Sequence, residues 1–241
     1  MNKNSNIYQI LYAAVMVLLV GSVLALIYMA LKPKQDENIA NDTRKQIMSA
    51  LHIAAPDDSK VKETYEKYVI QDLLVDRDGN IVDSTENVAF EVDMKKNVKL
   101  DERLLPVMKC KMDDGSIKYV LPMYGAGLWG PSWGYIAMND DGDTIFGANF
   151  SHEGETPGLG GEISTDKFAA RFEGKKMDTQ PIRLKKHANP QDNYEVDAIS
   201  GGTMTSNGVT NMLAAAFEDY STLLSNFNPE AGLQTTNSHE Q

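Results

Sequence analysis

One segment constrains this chain before any other. "IYQILYAAVMVLLVGSVLALIYMAL", Ile7 to Leu31, contains no charged residue. At 1.5 Å of rise per residue, a helix of that length reaches roughly 37 Å, enough to cross a hydrocarbon core of about 30 Å with some tilt. Tyr8, Tyr12 and Tyr28 stand near its ends, where interfacial aromatics collect. The run exceeds the roughly 7–15 apolar residues of a signal peptide, and no A-x-A-like cleavage site follows. The sequence therefore predicts a short N-terminal tail over 1–6 and an uncleaved transmembrane helix over 7–31. Lys3 precedes the span, and Lys32 and Lys34 follow it. That count leans toward a cytoplasmic C-terminal side, a weak bias because long domains cross largely regardless of flanking charge.

A polar linker over 32–40, opening with "KPKQDEN", leads to a predicted helix capped by Asn41 or Asp42 and running to about His52. Its apolar face is Ile47, Met48 and Leu51. Asp57 or Asp58 is placed to cap a second helix bearing Val61, Tyr65 and Tyr68. From about residue 70 the texture becomes β-like. "LLVDRDGNIVD", "KCKMDDGSIKYVLPMY" and "WGYIAMNDDGDTIFGANF" each set an Asp-Gly turn between apolar runs, a hairpin signal. These acidic turns lack the EF-hand spacing and its closing Glu, so they read as turns and not as calcium loops. Residues 161–185 read as a short helix followed by a strand. After Gly208, the residues Val209, Met212, Leu213, Ala216, Phe217, Tyr220, Leu224 and Phe227 form one helical stripe. The expectation is one α+β domain over 41–228, an antiparallel sheet with flanking helices, and a disordered tail over 229–241. A net charge of -11 argues against a nucleic-acid partner. The single cysteine, Cys110, permits neither an intrachain disulfide nor a Cys-based metal site.

Three clusters could carry chemistry. In "DAISGGTMTSNGV", Gly201 and Gly202 allow close approach of backbone N–H groups to a ligand, and the helix behind them offers a positive end suited to phosphate. Thr203, Thr205 and Ser206 add hydroxyls that could bind a phosphate or be esterified by one. The plainer reading makes Thr205 or Ser206 an N-cap. Neither a Walker A nor a G-x-G-x-x-G pattern is present. In "YGAGLWGPSWGYIA", glycines beside Trp129 and Trp133 either leave an aromatic face open to a flat ligand or form a tight strand corner. In "SHEGETPGLGGE", Thr156 replaces the second His of a zinc H-E-x-x-H motif. His152 therefore reads as a hydrogen-bonded loop residue, and Thr156-Pro157-Gly158 as a turn presenting Leu159.

The three clusters, in this order behind one N-terminal span, resemble the NqrC family of Na+-translocating NADH:quinone reductase subunits over nearly the whole chain. In that family, and in the related FMN-binding subunit of the Rnf electron-transport complex, a flavin transferase esterifies the FMN phosphate onto the threonine closing Ser-Gly-Ala-Thr. The resemblance implies that Thr203 carries one covalent FMN. Ser200, Gly201, Gly202, Thr205 and Ser206 would hold its phosphate, and Asp197 would sit at the acidic position that the transferase recognises. It further implies Trp129 and Leu159 packed on the isoalloxazine, Glu155 and Thr156 near its polar edge, and no metal. The expected role is electron relay from NADH to quinone (ubiquinone), coupled to sodium export. Partners would be the other subunits, the membrane and the flavin transferase. The family places the flavin domain in the periplasm of a bacterial inner membrane, against the lean of the charge count. Two departures stand out. Gly202 replaces the usual Ala, and His152 lies one residue off the commonest spacing. The alternatives are the Rnf protein, which serves ferredoxin:NAD electron transfer, and an anchored binding or assembly domain without flavin.

Overall fold

The computed structural model describes residues 6–54 and 57–225. The chain divides into two units, residues 1–43 and 44–241. The first unit is helical. Helix α1, Asn6–Ala50, begins here, and apolar side chains such as Leu18 and Met29 are exposed along it. Among the described residues it is the one helix long and apolar enough to cross a membrane. The expected linker and the fresh start at Asn41 or Asp42 do not form, because α1 runs without a break from Asn6 through Pro33 to Ala50. Pro33 removes a single N–H from the ladder. The polar residues after it are mostly helix formers, and Lys32 pairs with Asp36 one turn on at 3.2 Å.

The second unit is built on a six-stranded antiparallel sheet in the order β2-β1-β3-β4-β5-β6. The strands are β1 Val69–Val75, β2 Ile81–Asp83, β3 Leu105–Lys111, β4 Ile117–Ala126, β5 Pro131–Asn139 and β6 Ile145–His152. Each Asp-Gly run makes its hairpin, with Gly79, Gly115 and Gly142 at positive φ. Alternation along the strands sends side chains to two cores. Met108, Cys110, Val120 and Ala137 meet Ile47, Met48 and Leu51 at the end of α1, and Val61 and Tyr65 of helix α2, Val61–Tyr68. Neither Asp57 nor Asp58 caps α2. A 3-10 turn, Asp58–Lys60, precedes it, and the Asp58 carboxylate instead takes the Lys45 ammonium at 2.5 Å.

On the opposite face Leu105, Val107, Tyr119, Leu121, Met123, Ile136 and Met138 pack under helix α5, Thr203–Ser225. A short helix α3, Met94–Asn97, lies in the β2–β3 connection. Residues 161–185 supply most of one 3-10 turn (Gly160–Ser164), helix α4 (Asp166–Ala169), a second 3-10 turn (Ala170–Phe172) and strand β7 (Arg183–Lys185). β7 pairs in parallel with β8, Glu195–Asp197, a small second sheet that the sequence did not announce.

Helix α5 carries the expected stripe, with Val209, Met212, Leu213, Ala216, Tyr220 and Leu224 buried and Phe217 half-buried. Phe227 and the tail lie outside the described residues. The helix starts six residues before the expected point, however, at Thr203. Thr205 and Ser206 are therefore inside the helix and are not its N-cap; the first helical bond runs from Ser206 N–H to the Gly202 carbonyl, 2.8 Å. Gly208 sits in its second turn. A glycine costs about 1 kcal/mol there, and packing explains it: a Cβ at 208 would collide with the Ala126 carbonyl, and one at Gly125 would lie 2.8 Å from Met212 Cβ. Paired glycines thus lay the start of α5 directly on the end of β4, beside the β4–β5 turn.

Candidate functional site

Three pieces of chain converge at the start of α5. The first is the approach to the helix. Gly202 N–H donates to the Ile199 carbonyl at 3.1 Å, closing a turn in which Gly201 takes φ +75°. Ser206 Oγ accepts from Ile199 N–H at 3.0 Å and ties that turn to the helix. Thr203 is then the first helical residue, with its side chain exposed. The first-turn N–H groups of any helix lack intrahelical acceptors, so this end carries partial positive charge.

The second piece is the β4–β5 turn. Gly127 N–H donates to the Gly130 carbonyl at 2.8 Å, leaving Leu128 and Trp129 at its tip. Trp129 is 69 % exposed. The other tryptophan, Trp133, is half-buried and donates its indole N–H to Gln46 at 2.8 Å, so it belongs to the strand corner and not to an open face.

The third piece is the 152–161 loop. Leu159 and Gly161 N–H groups both donate to the Thr156 carbonyl, at 3.1 and 2.9 Å, and Gly158 takes φ +75°. This turn leaves Leu159 44 % exposed, and its side chain lies against Gly201, where a Cβ would be 2.8 Å from Leu159 Cδ2. His152 is a hydrogen-bonded loop residue, its Nδ1 accepting from Glu155 N–H at 3.1 Å.

Between these pieces is a cleft lined by Leu128, Glu155, Thr156, Leu159, the Gly201–Thr203 backbone and Met204. Its volume of about 180 Å³ is below the roughly 300–1,000 Å³ of sites that enclose a small molecule. It suits a group anchored at its mouth, not one swallowed whole. Leu128 and Met204 join Trp129 and Leu159 as exposed apolar residues here. Neither stood out in the sequence, although Met204 is the one apolar residue within "SGGTMTSNG".

The structure sorts the sequence candidates. Gly201, Thr203 and Thr156 are exposed in the cleft lining, and Ser200, the residue before Gly201, is exposed outside it. Thr205 and Ser206 are 1 % and 2 % exposed, and their hydroxyls are tied up internally. Asp197 is exposed at the end of β8, outside the cleft lining, with its carboxylate accepting from Ala188 N–H at 2.9 Å. Glu155 is 5 % exposed on the cleft floor. One carboxylate oxygen accepts from the N–H groups of Leu128 and Trp129, at 2.6 and 3.1 Å. The other accepts from the Thr205 hydroxyl at 2.6 Å. Burial pushes against its ionisation, but the bonds from Thr205, Trp129 and Leu128 outweigh it and hold the carboxyl below the usual glutamate range.

The site's residues fit a phosphorylated flavin on their own chemistry: an exposed hydroxyl at the positive end of a helix, ringed by exposed apolar side chains. The FMN-binding domain family matches residues 127–218, from the β4–β5 turn into α5. The chain is 33% identical over 202 residues to the NqrC-type subunit of the Na(+)-translocating NADH-quinone reductase of Pasteurella multocida, covering 75% of this chain and 78% of that protein. It is 30% identical over 229 residues to the corresponding protein of Haemophilus ducreyi, covering 87% and 89%. The crystal structure of the same subunit from Parabacteroides distasonis matches with a TM-score of 0.73 at 38% identity, over 82% of this chain and 98% of that one. Sharing both the fold and the domain that holds all three converging loops, the chain belongs to the NqrC family of Na+-translocating NADH-quinone reductase subunits.

Proposed function

We propose that this chain is the membrane-anchored FMN subunit of a Na+-translocating NADH:quinone reductase, carrying its flavin covalently on Thr203 and relaying electrons between other subunits. The observation that carries this reading is the selective exposure of Thr203. Of the hydroxyls in the first turn of α5, those of Thr205 and Ser206 are buried and hydrogen-bonded, while Thr203 stands at the mouth of the cleft. A phosphate on Thr203 Oγ would lie at the helix's positive end. Ser200 and Thr156, both exposed nearby, would contribute hydroxyls, and Trp129, Leu159, Leu128 and Met204 would cover a flat apolar ring. When bound, FMN supplies the redox chemistry; the protein sets its orientation and surroundings.

The uncharged stretch of α1, exposed along its length, would anchor the subunit in a bacterial inner membrane. The globular domain would face the periplasm, with Asp197 open to the transferase that loads the flavin. Relative to free FMN and free threonine, the attached form lacks one phosphate hydroxyl and the Thr203 hydroxyl hydrogen, together the atoms of one water. Intact mass of the full chain, co-produced with a flavin transferase, is therefore expected to rise by FMN less one water. Thr203→Val should abolish that gain while changing stability by less than about 0.5 kcal/mol, as befits an exposed site. Covalent flavin retained by Thr203→Val overturns the assignment.

A further inference from the structure

The cleft is held together by one buried side chain on its floor. The N–H groups of Leu128 and Trp129 point to a carboxylate 27 and 26 residues along the chain. The same carboxylate receives the Thr205 hydroxyl, 50 residues further on. Two glycines make room for it. A Cβ on Gly127 would collide with one Glu155 oxygen and lie 2.7 Å from the buried Ser132 hydroxyl; a Cβ on Gly160 would collide with the other oxygen and with Thr205 Oγ1. A buried carboxylate with three donors and two glycines shaped around it is a built feature.

We propose that Glu155 is a positioning residue that forms the flavin cleft before any flavin arrives: it docks the Trp129 turn against the first turn of α5 and keeps the Thr205 hydroxyl turned inward, so that Thr203 is the hydroxyl offered for esterification. The second half rests on the reading of Thr203 as the attachment point. Glu155 acts on the flavin through the turn and the helix. Its ionised state, favoured by the three donors, makes each of those bonds charge-assisted.

The test uses the full chain in detergent, as wild type, Glu155→Ala and Glu155→Gln. The first readout needs no flavin. Amide hydrogen exchange of the 127–130 peptide should accelerate by roughly 10–100-fold in Glu155→Ala. Glu155→Gln should stay near wild type, because its amide oxygen can still accept both N–H groups. The second readout is the site and yield of covalent flavin, located by fragment mass spectrometry. Glu155→Ala should lose about tenfold or more in yield, as expected of a misplaced reacting group, or place part of the flavin on Thr205. Glu155→Gln should restore attachment to Thr203.

Wild-type exchange and wild-type attachment in Glu155→Ala overturn the proposal while leaving the flavin assignment intact. A wild type that takes no flavin removes the flavin assignment, and the exchange readout still judges the clamp. If Glu155→Ala does not fold, Glu155→Gln decides. Rescue supports the positioning role, and free exchange at Leu128 and Trp129 in that variant overturns it.

Discussion

The hairpin turns of the central sheet are held in two opposite ways. At one end the turns cap themselves. Asp114 accepts from Ser116 N–H at 2.9 Å, and Asp141 accepts from Asp143 and Thr144 N–H, each at 2.9 Å. At the other end the β1–β2 turn also caps itself, Asp76 accepting from Asn80 N–H at 2.8 Å, but the β4–β5 turn has no side chain of its own to do this, and its N–H groups go to Glu155. A self-capped turn is a local object, indifferent to the rest of the fold. A turn capped from a distance has a shape that depends on two other loops. The turn that bears the candidate site is thus the one whose geometry is cooperative, and changes there should propagate where changes at the self-capped turns should not.

The largest expected departure between the two kinds of turn comes from Glu155→Ala. It leaves two backbone N–H groups and a buried hydroxyl without their acceptor, and should lower the unfolding free energy by roughly 2–4 kcal/mol in urea denaturation. Gly160→Ala drives a methyl into the same carboxylate and should cost about 1–3 kcal/mol. Its counterpart at a self-capped turn, Gly115→Ala, meets no atom within 4 Å and bears only the strain of φ +84°, about 1 kcal/mol.

Acid sharpens the contrast. A carboxyl held below its ordinary value contributes stability that is present above that value, 4.5 for glutamate, and is lost as pH falls through the folded one. Wild type should therefore lose stability below pH 4.5 more steeply than Glu155→Gln, measured as thermal midpoint against pH. The smallest effect belongs to Asp141→Ala, at about 0.5–1 kcal/mol, with no change in covalent flavin. A loss of flavin there would break the comparison.

The same division explains what could be read from the sequence. The Asp-Gly hairpins and the stripe from Val209 to Leu224 are local patterns, and both stand in the structure. The first turn of α5 was not legible, because Thr205, Ser206 and Gly208 carry loop propensities. They are helical because their partners, Glu155, Ile199 and Ala126, lie elsewhere in the chain. Nor could the sequence show that Glu155 joins three segments, because its donors lie 26, 27 and 50 residues away. The β7–β8 pair has three residues per strand, too few to show a period. Composition and spacing alone left Thr203 as one of three hydroxyls; the resemblance singled it out, and it is the exposed one of the three.

Cys110 sits at the centre of the sheet, fully buried, and burial pushes its thiol far up from the usual range. In the folded protein the chain's one sulfhydryl is thus chemically silent toward maleimides. The natural sequence already behaves as a cysteine-free background for labelling. A single cysteine introduced at an exposed position, such as one of the acidic hairpin tips, would be the sole reactive point on the molecule. With a membrane-impermeant reagent on intact cells, it would report on which side of the bilayer the sheet resides. With a spin label or fluorophore, it would report distances to neighbouring subunits, with no native residue to remove first.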